Sequence, residues 1–154
     1  MMKINDITAR RIGVKDIGQL FALSKISLLE RGIENIRDDI LMTQLKNGVA
    51  RRLQSFDYGL FQMNTLVGYI FSDVSSRAYD DTGSAMVESV YLLPEFRTVE
   101  NYCKLLQCMV NLMAEFDITD IKTTDNWTLS NDCEIFEQAI LLMGKPATMY
   151  RILP

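Results

Sequence analysis

The chain has 154 residues, which is the length of one domain that is able to bury a core of its own. Apolar residues make up 48% of it and charged residues 23%, a globular composition that excludes a disordered chain. Sixteen lysines and arginines against twenty aspartates and glutamates give a net charge of −4, the wrong sign for nucleic-acid binding through phosphate contacts.

The absence of histidine removes several kinds of active site at once. Serine-histidine-aspartate and cysteine-histidine machinery and any histidine-containing zinc site are excluded, and no metal site is predicted. The three cysteines, Cys103, Cys108 and Cys133, form no CxxC pair, which favours reduced thiols and a cytoplasmic location. No apolar run is long enough to span a membrane, and no secretory signal opens the chain.

The first part of the chain predicts one strand and two helices. Residues 7–12 form the strand, and Asp16 is expected to cap a helix whose apolar face holds Ile17, Leu20, Phe21, Ser24 and Leu28 and which Gly32 ends. A second helix is predicted over residues 36–45, with Ile40, Leu41 and Leu45 inward and Gly48 as its stop.

Three strands are predicted next. Alternation from Tyr58, a turn at Asn64 and Thr65, and a returning strand over residues 66–74 indicate a hairpin. The stretch 75–84 is typical of a loop. A further strand over residues 85–93 ends at Pro94.

The last part of the chain alternates helices with strands. A long amphipathic helix covers residues 99–116, followed by a strand at 118–124 and a loop that holds Trp127. Asp132 is expected to cap a final helix that Gly144 and Pro146 stop, and residues 148–153 close the chain as a strand.

The predicted order is therefore β-α-α-β-β-β-α-β-α-β in a single domain over residues 1–154. Its fold class is α/β: a central, mostly antiparallel sheet with one strand-helix-strand crossover, flanked by about four helices.

That order, together with the segment ESVYLLPEFR from Glu88 to Arg97, resembles the GNAT acetyltransferase superfamily. Members of that family run their fourth strand into a V-x-P-x-x-[RQ] turn, a glycine-rich phosphate loop and a helix that begins with paired leucines. Leu105 and Leu106 fall on the leucine pair, and the resemblance covers nearly the whole chain. It implies a GNAT-like fold with acetyl-CoA as cofactor.

The resemblance implies a cofactor segment at a fixed register. Its members are Leu92, Leu93, Arg97, Thr98, Val99, Glu100, Asn101 and Tyr102. In the family pattern [RQ]-x-x-G-x-[GA], backbone N–H groups at a helix N-terminus hold the pyrophosphate of coenzyme A, and glycine lets it approach closely. Here Glu100 and Tyr102 occupy the two small positions, so the loop is degenerate.

Two costs follow for the usual cofactor pose. Like charges roughly 4 Å apart repel by about 4 kcal/mol at an effective dielectric near 20, which sets Glu100 against a pyrophosphate. The Tyr102 side chain adds steric bulk, and a glutamate in the first helical turn caps the helix itself.

The resemblance also assigns residues to the chemistry. Glu88 falls where many members carry a glutamate that deprotonates the amine, although an outward surface carboxylate explains it as well. Ile140 stands four residues before Gly144, where the family often has a tyrosine acid. After Gly144 there is room for one strand where the family usually has two, so a partner chain is a candidate source of an edge strand.

Two hypotheses remain. In the first, the chain is a pseudoenzyme with the GNAT fold, which has lost acetyl-CoA catalysis and needs no cofactor. It then binds a protein partner or itself, with Trp127 as a candidate anchor, and a viral accessory or virion role is consistent. In the second, the chain is an active N-acetyltransferase with Glu88 as base and the Leu92 and Leu93 backbone holding the pantetheine and thioester. The loss of the phosphate glycines, of the tyrosine acid and of one terminal strand together favours the first.

Overall fold

A computed structural model describes residues 6–50, 55–75, 83–115, 118–124, 130–143 and 147–150. Its strands are β1 (Ile7–Arg11), β2 (Ser55–Gln62), β3 (Thr65–Ser75), β4 (Gly83–Leu92), β5 (Ile118–Thr124) and β6 (Ala147–Tyr150). Its helices are α1 (Ile17–Glu30), α2 (Asp38–Ala50), α3 (Val99–Glu115) and α4 (Ser130–Leu142). Short 3₁₀ turns, Val14–Asp16 and Pro94–Phe96, precede α1 and α3. The predicted element order is confirmed.

The strands form one sheet in the order β1-β2-β3-β4-β5-β6. The first four are antiparallel: β2 and β3 form a hairpin, whereas α1 and α2 lie between β1 and β2 in the chain. The β4–β5 and β5–β6 pairs are parallel, with α3 and α4 as the crossovers. The prediction of a single crossover was therefore wrong: α4 makes a second one, which puts β6 beside β5.

Helices cover both faces of this sheet. On one face, α3 and α4 pack through Tyr102, Leu105, Met109, Phe136 and Ile140, all completely or almost completely buried. The helices α1 and α2 pack on the other face. Alternation along β4 therefore sends neighbouring side chains to opposite cores, with Leu92 facing α3 and Tyr91 facing α1.

The second helix differs from its prediction. It begins at Asp38 and continues through Gly48, because the next residue, Val49, is buried and holds the last turn on the core. Ile40 was expected to face inward, but it is 44% exposed, whereas Leu45 is buried as predicted. The hairpin turn lies one residue earlier than expected, at Met63 and Asn64, with Met63 at a φ of 56°.

The predicted caps were also wrong in their details. Asp16 stands just before α1, but its side chain makes no cap to that helix and is bonded to Arg10 and to the Gly13 N–H instead. Helix α4 begins at Ser130, so Asp132 lies inside its first turn. Gly32 does end the α1 segment, with a φ of +82° that favours glycine.

Candidate functional site

Pairing between β4 and β5 ends before β4 does, and the space beside the unpaired edge of β4, residues 88–92, is called the opening. The pairing runs from Gly83 opposite Ile118 to Val87 opposite Thr123 and stops there, while β4 continues to Leu92. Within the described residues, the edge of β4 from Glu88 onward therefore has no strand beside it. Unpaired backbone donors and acceptors at such an edge are available to an extended ligand.

A β-bulge in β4 lies where the pairing of β4 with β5 ends. On β3, Phe71 pairs with Ser89 and the next residue, Ser72, pairs with Val87, so Glu88 is the extra residue of β4. A bulge increases local twist and bends its strand, so it changes the direction of β4 at the point where its pairing with β5 ends. The sequence-predicted base thus has its backbone at the mouth of the opening, and its side chain lies outside what the structure describes.

Register decides which backbone groups of β4 face the opening. Leu93 donates its N–H to the carbonyl of Val67 on β3, at 3.0 Å. Because backbone groups alternate between the two edges of an antiparallel strand, the N–H and C=O of Leu92 and Val90 point away from β3 and toward the opening. The N–H and C=O of Val90 and the N–H of Leu92 therefore face an extended ligand at this edge, whereas the Leu92 carbonyl accepts a hydrogen bond from Arg97.

Helix α3 begins directly beyond this edge. Thr98 caps it, since its hydroxyl accepts the N–H of Asn101 at 3.2 Å and its carbonyl accepts the N–H of Tyr102. The N–H groups of Val99 and Glu100 have no hydrogen-bond acceptor in the part of the chain that the structure describes. Two donors and the positive end of the helix dipole therefore remain available at the helix start.

The Tyr102 ring does not obstruct that helix start. It is 1% exposed and packs inside the core, with its centroid 5.5 Å from that of Phe136 on α4. The expected steric cost of Tyr102 was therefore wrong: the large side chain is accommodated because α3 turns this position toward α4 and not toward solvent.

Glu100 points into solvent. Its side chain is 82% exposed and lies 3.9 Å from Lys104, one turn further along α3. Water screens an exposed charge, so its repulsion of a nearby phosphate is well below the value expected for a partly buried pair. The cap comes from Thr98, so the interpretation of Glu100 as the capping acid was wrong in its geometry.

Arg97 has a different use from the one its register implied. Its Nε donates to the Leu92 carbonyl at 2.8 Å, and its Nη2 contacts both carboxylate oxygens of Glu30 at 2.7 Å. Asn101 is buried and donates from Nδ2 to the Phe96 carbonyl at 2.9 Å, which fixes the turn between β4 and α3. Both side chains therefore hold the turn between β4 and α3.

Glu30 and Tyr91 complete this arrangement and were missed by the sequence analysis. The Tyr91 hydroxyl donates to Glu30 at 2.6 Å. Burial and then the carboxylate raise the pKa of Tyr91; partial burial favours a higher pKa for Glu30, but the bonds from Tyr91 and Arg97 outweigh it and lower that pKa. The only sequence signal was a glutamate in the last turn of a helix, the end that disfavours an acid.

The remaining sequence-predicted residues fall into three groups. Leu92 and Leu93 lie at the end of β4 as expected. Ile140 is completely buried in the α3–α4 core, so the tyrosine position of the family holds no acid here. Trp127 lies outside the described residues.

The two described cysteines contribute no nucleophile. Cys103 and Cys108 are half-buried on α3, with Sγ atoms 3.9 Å and 3.7 Å from the carbonyls of Ala139 and Ala9. Burial raises the pKa of both thiols, which keeps the reactive thiolate scarce near neutral pH. Within the described ranges, no group of acidic or sulfur side chains is arranged to hold a metal ion, and no helix is long and apolar enough to cross a membrane.

Comparison with solved structures finds acetyltransferases with a similar fold. A possible acetyltransferase from Clostridium difficile aligns over 96% of this chain and 95% of its own, with a TM-score of 0.73 and 13% identity. A predicted acetyltransferase from Clostridium acetobutylicum, solved with acetyl-CoA, aligns over 86% and 88%, with a TM-score of 0.69 and 20% identity.

A third similar structure is that of the aminoglycoside N-acetyltransferase AAC(6')-Iy with CoA, which aligns over 100% and 97% with a TM-score of 0.71 and 11% identity. No family model and no curated protein sequence matches the chain. The chain therefore has the fold of the GNAT acetyltransferases, as its resemblance implied, and identities this low speak for the fold alone.

Proposed function

We propose that the chain binds acetyl-CoA in the opening between β4 and β5 and transfers the acetyl group to an amine. The observation that carries this proposal is that the β4–β5 pairing ends at the Glu88 bulge. Beyond it, an edge of β4 with no described strand beside it leads to the start of α3. Similar folds solved with acetyl-CoA or CoA support it.

The residues present fit such a ligand. The backbone N–H and C=O of Val90 and the N–H of Leu92 face the opening and suit the amides of a pantetheine arm laid along β4. The N–H groups of Val99 and Glu100 suit a pyrophosphate at the positive end of α3. When bound, acetyl-CoA supplies an activated thioester carbonyl.

Glu88 is the proposed general base. It takes a proton from the attacking amine, directly or through one water, as the new C–N bond forms and the C–S bond breaks. Ile140 offers no proton for the leaving thiolate, so that proton comes from solvent. This assignment predicts a reaction that depends on one carboxylate and on no tyrosine of α4.

A turnover assay tests the proposal. Thiol release from acetyl-CoA is followed with a panel of primary amines, including peptide N-termini, lysine and polyamines. Glu88→Gln is expected to lower kcat by about 100-fold or more, the usual contribution of a general base. Glu95→Gln, an exposed acid in the turn before α3, is the matched control and should keep full activity. Equal rates for the wild type and Glu88→Gln would contradict the role of Glu88.

A second candidate is a non-catalytic GNAT-fold protein that recognises a protein partner. Two observations favour it: an isoleucine at the usual tyrosine position, and β6 at the end of the sheet, paired only with β5 among the described strands. An edge strand is a template for a further strand from another chain. Light scattering tests this candidate, because a dimer or stable complex supports it and a monomer in the presence of its native neighbours contradicts it.

A further inference from the structure

The last residue of α1 is connected to the end of β4. Glu30 is acidic and lies at the C-terminal end of its helix, where the dipole disfavours negative charge. Three short contacts offset this cost: one from the Tyr91 hydroxyl at 2.6 Å and two from Arg97 Nη2 at 2.7 Å. The carboxylate is therefore held in one place by groups from distant parts of the chain.

Arg97 links the Glu30 carboxylate to the backbone of β4 at the opening. The same guanidinium that binds Glu30 donates through Nε to the Leu92 carbonyl, at 2.8 Å. That carbonyl belongs to the strand edge on which an extended ligand would lie, and Arg97 immediately precedes Thr98, the cap of α3. One side chain thus joins the end of α1 to both backbone elements of the candidate site.

This ion pair differs from the two pairs that involve residues 37–39 at the start of α2. The Arg97 and Glu30 side chains are only 12% and 25% exposed, so solvent screens their attraction little. By contrast, the Lys25–Asp38 and Arg37–Asp39 pairs are more open to solvent. Exposed pairs hold geometry weakly, whereas a shielded pair with several hydrogen bonds fixes it.

We propose that Glu30 is a positioning residue for coenzyme A: through Arg97 it fixes the Leu92 carbonyl and the turn into α3, and so sets the spacing between the strand edge and the helix N–H groups. The inference rests on the proposed function. Tyr91 assists by orienting the Glu30 carboxylate through its hydroxyl hydrogen bond. None of these three side chains has to touch the ligand in order to act.

The test is a calorimetric titration with acetyl-CoA of the wild type and matched variants. Glu30→Gln is expected to weaken binding by about tenfold, because a neutral amide holds the guanidinium loosely. Arg97→Lys should weaken it equally, since one ammonium group cannot reproduce the guanidinium contacts with both Glu30 and Leu92. Asp38→Asn removes an ion pair on the same side of the fold and should leave the dissociation constant within twofold.

The double variant separates positioning from general stability. If Glu30 acts through Arg97, Glu30→Gln combined with Arg97→Lys binds no more weakly than either single variant. Tyr91→Phe provides a milder version, expected to weaken binding about threefold while changing the melting temperature by only about 3 °C. It keeps the test valid if Glu30→Gln does not fold.

The outcomes are distinct. Wild-type affinity in both Glu30→Gln and Tyr91→Phe, or losses that multiply in the double variant, would overturn this inference and leave the proposed function standing. No binding of acetyl-CoA by the wild type would overturn the proposed function as well. Loss of affinity in Glu30→Gln and Arg97→Lys, without further loss in the double variant, is the expected result.

Discussion

The junctions β1–α1 and β4–α3 have the same sequence of elements but differ in where their charged side chains are bonded. Each passes from a strand through a 3₁₀ turn into a helix, and each has an arginine and an acid nearby. At β1–α1, the Asp16 side chain is 4% exposed and receives Arg10 on both oxygens and the Gly13 N–H. At β4–α3, Glu100 extends into water and Arg97 is bound to Glu30.

The two strand–turn–helix junctions differ in whether their charged and polar groups are satisfied within the junction. The β1–α1 junction satisfies its own charges internally, so it contributes stability and offers little to a ligand. The β4–α3 junction pairs its arginine with Glu30 and the Leu92 carbonyl and leaves two helix N–H groups without a described acceptor. It therefore offers donors to a ligand, and its acid contributes little to stability.

Removal of the two acids should separate the junctions most clearly. Asp16→Ala is expected to lower the free energy of unfolding by about 2–3 kcal/mol, somewhat below the cost of breaking a fully buried pair because Arg10 is partly exposed. Glu100→Ala should stay within about 0.5 kcal/mol of the wild type. Urea unfolding measures both, and comparable losses would refute the distinction.

The end of β4 can be disturbed from the neighbouring strand. A Cβ on Gly68 would lie 2.8 Å from Leu92 Cγ and 2.9 Å from the Tyr91 carbonyl oxygen, so Gly68→Ala should cost about 1–3 kcal/mol and shift the open edge. Gly48→Ala is the control: nothing lies within 4 Å of that site in α2, and alanine should stabilise the helix by about 0.5–1 kcal/mol. Thermal unfolding that ranks the two variants the other way would contradict this packing.

Acid should weaken the β1–α1 junction through Asp16. The hydrogen bond from Arg10 lowers the pKa of Asp16 below its ordinary value of 3.8, against the opposing effect of burial. The lowered pKa contributes stability that is complete above the unfolded-state pKa, near 4, and is lost as the pH falls through the folded-state value. In Asp16→Asn this part of the acid loss should be absent when stability is measured from pH 6 to 2; an unchanged acid limb would show that Asp16 does not cause it.

The smallest expected effect concerns the ligand. Glu100→Gln should strengthen acetyl-CoA binding about two- to fivefold at low salt, because it removes an exposed like charge near the proposed phosphate site. The gain should shrink at about 0.5 M salt. An unchanged dissociation constant at low salt would place the phosphates away from the start of α3.

Local signals predicted the fold well because they are strong in this chain. Alternation along β2 and β3 and the apolar stripe of α3 gave the element order, and the segment from Glu88 to Arg97 gave the GNAT resemblance. The predictions of helix ends and caps failed where tertiary contacts determine them. Burial of Val49 extends α2 past Gly48, and the hydrogen bonds with Arg10 replace a cap by Asp16 on α1.

The site was predicted less completely, for the same reason. Sequence register identified Glu88, Leu92 and the start of α3, but it gave no direction for side chains. The burial of Tyr102 depends on Phe136, which lies far along the chain, and the place of Arg97 depends on Glu30, 67 residues before it. Such pairings are visible only in the folded structure.

The most direct test of the central claim is a calorimetric titration of the wild type, Val99→Ala and Val99→Pro with acetyl-CoA. Proline is well tolerated at the first position of a helix and removes one of the two available N–H groups. The account predicts micromolar binding by the wild type and about fivefold weaker binding by Val99→Pro than by Val99→Ala, which loses the same core packing but keeps the N–H. No binding by the wild type up to millimolar acetyl-CoA would contradict the claim that this junction receives coenzyme A.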